Sequence, residues 1–258
     1  MRLALLIFLT LLTLLGCSKK ETIRKISGEA QGTTYHITYL SADPADLKPG
    51  IDSILRDLDL SLSTWKESSI ISRINRNEEN VVIDKYFREV FLKSKEVSER
   101  TNGVFDATVG PLVNAWGFGP SRKSAIDSMI IDSLKSLVGF RMLTLENDRI
   151  VKQKPEITVD FNAIAQGYSV DVLAAYLKKH GVKDYLVELG GELIVKGRKN
   201  GESWTVGIDQ PNEEQGGERK LQAIVELHDR ALATSGNYRK FYEEDGKKYA
   251  HILDPKTG

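Results

Sequence analysis

Apolar positions along the chain change their period several times, and each change marks an element. Tyr35, Ile37 and Tyr39 alternate with polar partners as a half-buried strand does, and Gly32 bends the chain ahead of them. Pro49 opens a helix in which Ile51, Leu55, Leu58 and Leu62 bury one face, and a second short helix lies within STWKESSIISRIN. Asp84 caps the next helix, with Phe87, Val90, Phe91 and Val97 inward and Thr101-Asn102-Gly103 as its stop. Ile130, Leu134 and Leu137 mark another helix closed by Gly139, and MLTLENDRIVK predicts a hairpin turning at Asn147-Asp148.

The signals are densest from residue 159 to 195. Ile157, Val159 and Phe161 alternate into this stretch as a strand. The period then switches to helical at Ile164, Tyr168, Val172 and Tyr176, with Leu173 and Leu177 beside them. Asp160 and Asn162 stand at the junction as cap candidates, Lys178 and Lys179 occupy the last turn, and Gly181 takes the position after the helix. DYLVEL runs as a strand into Gly190-Gly191, and Leu193 and Val195 alternate on the return. WTVGIDQP and AIVELHD read as strands around a polar loop at Gly216-Gly217, and FYEEDGKKYAHILDP as a hairpin turning at Asp245-Gly246. The strand-to-helix turn aims free backbone N–H groups and the positive helix end outward, which suits a phosphate. Asp160 fits there if it accepts hydrogen bonds from the ligand or if a divalent cation such as Mg²⁺ joins it to the phosphate; the other reading of Asp160 is a helix cap.

The amino terminus carries an address. Arg2 is followed by an apolar run from Leu3 to Leu15 and then Leu14-Leu15-Gly16-Cys17-Ser18, the pattern of a bacterial lipoprotein signal. That run is shorter than the roughly 20 residues of a membrane span. Cys17 is the only cysteine, which excludes an internal disulfide and places it as the lipidated residue. The expected organisation is a signal peptide over 1–16, a lipidated tether over 17–24, and one domain over 25–258, held at the periplasmic face of the cell membrane. Without Arg2 the mature chain has 36 − 1 = 35 basic residues against 36 acidic, so no charge excess points to nucleic acid. A hydrophobic content of 41% with 28% charged residues describes a soluble α+β domain.

Several chemistries are excluded. The chain has no Walker A loop and no G-x-S-x-G, and the GFG at 117–119 runs into Pro120 instead of opening a helix. Four scattered His and one Cys build no zinc cluster. Ser63-Thr64-Trp65-Lys66, Ser235-Gly236-Asn237 and Lys256-Thr257-Gly258 repeat the order of three β-lactamase motifs, but that fold needs its Ser at a helix start and its K-T-G well beyond S-x-N. What remains is GVFDATVGPLVNAWGFGP, a loop whose apolar and aromatic content belongs either under other structure or against a flat ligand.

Seven fragments in order, QGTTY (31–35), STWKESSIISRIN (63–75), GVFDATVGPLVNAWGFGP (103–120), DFNAIAQGYSVD (160–171), VELGGEL (187–193), ATSGNY (233–238) and HILDPKTG (251–258), resemble the ApbE family of FAD:protein FMN transferases. The resemblance implies a single domain of mixed, largely antiparallel sheets with packed helices, of T-fold-like type. It implies Mg²⁺-dependent transfer of FMN from FAD to a Thr hydroxyl with release of AMP, on acceptor subunits of sodium-pumping NADH:quinone oxidoreductase or Rnf-type complexes. Carried over residue by residue, it makes Gln31, Trp65, Val104, Phe105, Asp106, Asp160, Gln166 and Ile252 FAD contacts, with Tyr and Met the family's usual residues where Trp65 and Gln31 stand. It makes the Ala163 carbonyl a Mg²⁺ ligand, and it implies further Mg²⁺-binding Asp and Thr beyond Gly258, so the domain is expected to be cut short at its C-terminus. His251 is then the candidate base, since imidazole is neutral near pH 7; its other reading is a strand histidine bonded within a sheet, and that of Trp65 is plain core. Two further functions share the same site: a periplasmic FAD carrier, and an FAD pyrophosphatase in which water replaces the Thr.

Overall fold

The computed structural model describes residues 20–120, 127–210, 220–236, 241–244 and 246–258. At its centre lies a five-stranded sheet, antiparallel throughout, in the order β1 (Thr22–Ala30), β2 (Thr33–Ser41), β5 (Tyr185–Leu189), β6 (Glu192–Lys196) and β9 (Ala231–Leu232). Register follows from the alternation: Tyr35 faces Leu189, Ile37 faces Val187 and Tyr39 faces Tyr185, so all six share one buried side. Two helices cover that side, α1 (Lys48–Leu62) through Ile51 and Leu55, and α6 (Asn162–Lys179) through Val170, Leu173 and Leu177. The opposite side, bearing Leu40, Leu193 and Val195, receives Trp204 and Leu227 from the hairpin of β7 (Trp204–Asp209) and β8 (Leu221–Leu227).

A second core gathers α2 (Ile70–Asn75), α3 (Lys85–Arg100) and the hairpin of β3 (Leu143–Glu146) and β4 (Arg149–Lys152). Tyr86, Phe87, Phe91, Phe140 and Phe161 are its aromatic members, with Phe87 edge-on to Phe161 at 5.1 Å. The sequence read the inward face of α6 as Ile164, Tyr168, Val172 and Tyr176. In the structure these are half-buried, and the deepest positions are Ser169, Val170, Leu173, Ala174 and Leu177. Both stripes have work to do, because α6 is wedged between the cores: Ile164, Tyr168 and Val172 pack into the second, Leu173 and Leu177 into the first. Each of those leucines contributes about 1.5–3 kcal/mol by burial.

Turn chemistry agrees closely with expectation. Asp84 accepts the Phe87 N–H at 2.8 Å, Asn147 and Asp148 both take positive φ, and Gly181, Gly190 and Gly191 do likewise. Three points differ. β1 begins at Thr22, inside the stretch expected to be tether, because its Ile23 and Ile26 pair with Leu40 and Ile37. α5 (Ser128–Lys135) leaves Ile130 exposed and buries no residue fully. Val97 is only half-buried, since α3 turns Ser94 and Ser98 inward instead. The lipobox with Cys17, the Gly216-Gly217 loop, Asn237 and Asp245 fall outside the described residues. No helix among the described residues is long and apolar enough to cross a membrane.

Candidate active site

The start of α6 is where the fragments meet. Phe161 is the N-cap and makes no side-chain cap bond; Asp160, one residue further out, accepts the Asn162 backbone N–H at 2.7 Å and its side-chain amide at 3.1 Å. Burial pushes the Asp160 carboxyl up, an effect partly offset by these two donors. The Asp160 N–H is itself held by the Ala107 carbonyl at 2.8 Å, and Gly110 lies so close to Thr158 that a Cβ would stand 2.4 Å from its hydroxyl. The stretch 157–161, expected as a strand, pairs in no sheet and runs as an extended segment with Ile157, Val159 and Phe161 buried; it and the 103–120 loop are therefore one joined surface.

One residue that the pattern of the sequence left unmarked controls this junction. Asn75, the last residue of α2, donates its side-chain amide to the Val159 carbonyl at 2.9 Å and accepts the Val159 N–H at 2.7 Å. It does for Val159 what a neighbouring strand would do, and it fixes the residue next to Asp160. A bond across 84 positions leaves no periodic trace; the one available signal was an Asn at the end of an amphipathic helix.

Two turns along α6, the sheet ends against the same helix. Gln31 holds a left-handed backbone in the β1–β2 turn and donates to the Ser169 hydroxyl at 2.7 Å, while its own side-chain oxygen is buried with no hydrogen-bond partner among the described residues. Gly190 lies under Gln166, and a Cβ there would come within 3.1 Å of the Gln166 amide and 2.9 Å of the Thr33 methyl. Gly191 is similarly close to the Thr234 hydroxyl, and its N–H is held by Glu188 at 2.8 Å. Glu192 follows with a buried carboxylate oxygen that also lacks a partner among the described residues; burial raises its carboxyl, and Glu188 adds like charge. Unpartnered buried acceptors next to glycine backbone are what a ligand rich in hydroxyl and N–H donors satisfies.

The remaining candidates fall into two groups. Trp65 and Val104 are exposed at 65% and 62%, and Ile252 at 59%, so Trp65 is not core and all three are open apolar surface. Phe105 is half-buried against the second core. The Asp106 carboxylate is taken up internally by the Thr108 N–H (2.8 Å) and hydroxyl (2.6 Å) and the Phe140 N–H (2.8 Å), so its side chain shapes the loop. The aromatic half of the loop meets the first of its two expected fates, packing against other structure: Trp116 stacks on Tyr249 at 5.3 Å, Tyr249 on Tyr242, and Phe118 packs against Tyr242 at 5.5 Å. Those tyrosines belong to the hairpin of β10 (Phe241–Glu244) and β11 (Lys247–Ala250). His251 follows that hairpin, exposed, with its ring edge-on to Phe118 at 6.3 Å. Asp160 and His251 thus stand against opposite ends of one loop.

Among the described residues no group of three His, Cys, Asp or Glu gathers to hold a metal. Ala163 is the second residue of α6, and its carbonyl keeps one lone pair beyond the helical bond. Asp160 and that carbonyl suit a cation held mainly by substrate oxygens, the usual mode for Mg²⁺, and do not suit a protein cage.

An α+β sheet whose open end joins a buried carboxylate, a helix start and two unpartnered acceptors defines a site for a phosphate-bearing, donor-rich ligand. The chain belongs to the ApbE family, whose family model matches residues 31–258. It is 38% identical to the FAD:protein FMN transferase of Vibrio cholerae over 96% of this chain and 76% of that protein, and 35% identical to the enzyme of the same name from Haemophilus influenzae, over 96% and 75%. Its fold superposes on the flavin transferase ApbE from Vibrio cholerae with a TM-score of 0.78 at 36% identity, covering 92% of this chain and 77% of that one. The apo flavinyl transferase ApbE of Pseudomonas stutzeri gives 0.79 at 34% identity, covering 92% and 76%.

Proposed function

We propose that this chain transfers the FMN half of FAD to a protein acceptor. The observation that carries the proposal is the joined site at the start of α6, with buried Asp160 held by Asn162 and Ala107 and with Gln31, Gln166 and Gly190-Gly191 further along the same helix, in a member of a family whose relatives bear that activity in their names. Gln31, Gln166 and Asp160 bind and orient FAD; Trp65, Val104, Phe105 and Ile252 supply apolar surface for its flavin.

In the finer reading the acceptor is a Thr hydroxyl. Its oxygen attacks the FMN phosphorus, the bond from that phosphorus to the bridging oxygen breaks, AMP leaves, and His251 takes the hydroxyl proton. The Ala163 carbonyl and Asp160 would hold Mg²⁺ beside the diphosphate, where the ion would supply charge neutralisation for the departing AMP. His251 is exposed, which an acceptor as large as a protein requires. The acceptors proposed are flavoprotein subunits of sodium-pumping NADH:quinone oxidoreductase or Rnf-type complexes. The proposed location is the periplasmic face, through lipid on Cys17; Cys17→Ala is expected to release the protein from membranes with activity in solution unchanged, and continued membrane association would contradict the anchor.

Incubating the chain with FAD, Mg²⁺ and an acceptor domain tests the reaction. Covalent flavin on the acceptor together with AMP is the expected result. AMP with free FMN would replace the proposal with hydrolysis, and intact FAD bound to the chain would replace it with a carrier.

A further inference from the structure

A cavity of about 270 Å³ opens between the end of α2 and β4, lined by Ile74, Asn77, Glu78, Val81, Arg149 and Lys152 among others. Its charges do not cancel. The Glu78 carboxylate is already engaged by Arg73 Nε at 2.7 Å and Arg76 Nη2 at 2.6 Å, and these hydrogen bonds hold it below the usual carboxylate range. Lys152 and Arg149, in contrast, have no carboxylate within ion-pair distance among the described residues.

Lys152 is half-buried, and its Nζ donates to two backbone carbonyls, Pro155 at 3.0 Å and Ile157 at 2.9 Å. An ammonium carries three N–H bonds, so the third has no partner among the described residues. Burial pulls the Lys152 ammonium down to about 8, and the field of Glu156 restores only part of that loss. Both facts describe a cation set among neutral dipoles in a cavity whose lining carboxylate, Glu78, is spent elsewhere.

We propose that this cavity is a binding site for a small phosphate-bearing anion, with Lys152 as its central ligand and Arg149 at its mouth. The anion completes the third N–H of Lys152 and stabilises its charge, which strengthens the bonds to Pro155 and Ile157. Those carbonyls lie just ahead of Val159, which Asn75 clamps, and of Asp160. The site is independent of the FMN-transfer reading and binds its anion whether or not the chain transfers flavin. A free phosphate and a nucleotide such as AMP offer the same chemistry, and the experiment separates them.

The test is trace acetylation by acetic anhydride at pH 8 on the full chain, read by peptide mass spectrometry, with exposed Lys95 as the internal control. At ten times its Kd, inorganic phosphate is expected to lower Lys152 labelling about tenfold by mass action and to leave Lys95 unchanged. Protection by AMP at far lower concentration would assign the site to the nucleotide; equal molar potency would assign it to free phosphate. Lys152→Met is expected to lose the phosphate-induced rise in melting temperature. No protection by either anion, or equal protection by sodium chloride at matched ionic strength, overturns the proposal, and so does a Lys152→Met protein that keeps the full phosphate-induced rise.

Discussion

The two ends of the 103–120 loop are built on opposite principles. At one end Asp160 is 9% exposed, its backbone tied to Ala107, its carboxylate to Asn162 and its neighbour Val159 to Asn75. At the other end His251 is exposed, beside a two-stranded hairpin held to the loop by stacked rings. The first arrangement spends free energy on burying a carboxylate so that a ligand meets a preset geometry. The second leaves a titratable group where a second protein can reach it. Small-molecule binding and macromolecular access make contrary demands on burial, and the loop lets one chain meet both.

The contrast breaks most sharply at His251. His251→Ala is expected to slow transfer by about 10²–10⁴-fold, the range for loss of a general base, while FAD affinity changes by less than about threefold; equal losses in rate and affinity, measured by single turnover and flavin titration, would remove His251 from the proton transfer. Asp160→Ala acts on the other side, weakening FAD binding by about 10–100-fold, as the loss of a charged hydrogen-bonding partner worth about 1.5–3 kcal/mol implies. An unchanged titration would show that Asp160 holds only the helix start.

A subtler effect concerns pH. Because burial raises the Asp160 carboxyl, the folded state binds its proton more tightly than the unfolded state does, so this group's contribution is fully present below the ordinary Asp range and is lost as pH rises through the raised value. Asp160→Asn is therefore expected to raise the melting temperature at neutral pH, with the gain shrinking as pH falls from the raised value towards the ordinary Asp range and gone below about 4. A gain that is constant with pH would trace to packing instead. Asn75→Ala is the smallest change on this scale, expected to destabilise the fold by about 1–3 kcal/mol through the orphaned Val159 N–H and to weaken FAD binding in proportion to the loosened junction. Urea unfolding and a flavin titration measure the two effects, and a loss of stability with full FAD affinity would separate the clamp from the site.

Sequence pattern carried most of this architecture where the determinants are local. Asn147-Asp148 and Gly190-Gly191 needed positive φ and took it, and the alternation of Tyr35, Ile37 and Tyr39 set the sheet register. β1 escaped notice because an edge strand with Thr22, Arg24 and Lys25 shows little alternation, and its pairing partner, not its own composition, decides its state. Asp160 could be singled out by its place at a helix start, whereas Gln31 and Gln166 entered only through the family resemblance. Asn75 and the internal fate of the Asp106 carboxylate were not legible, because both depend on contacts between segments distant in sequence.

The placement of α6 between two cores reaches beyond the site to how the molecule comes apart. Leu173 and Leu177 belong to the sheet's core and Ile164 and Val172 to the other, so loosening either core strips one stripe of the same helix. The two halves are expected to lose structure as a single cooperative unit, with one denaturation midpoint by every probe. Amide hydrogen exchange is expected to be slowest within α6, with protection there equal to the global unfolding free energy. The helix that presents Asp160 to a ligand would then be the last element to open, and ligand occupancy would be felt as protection throughout the chain.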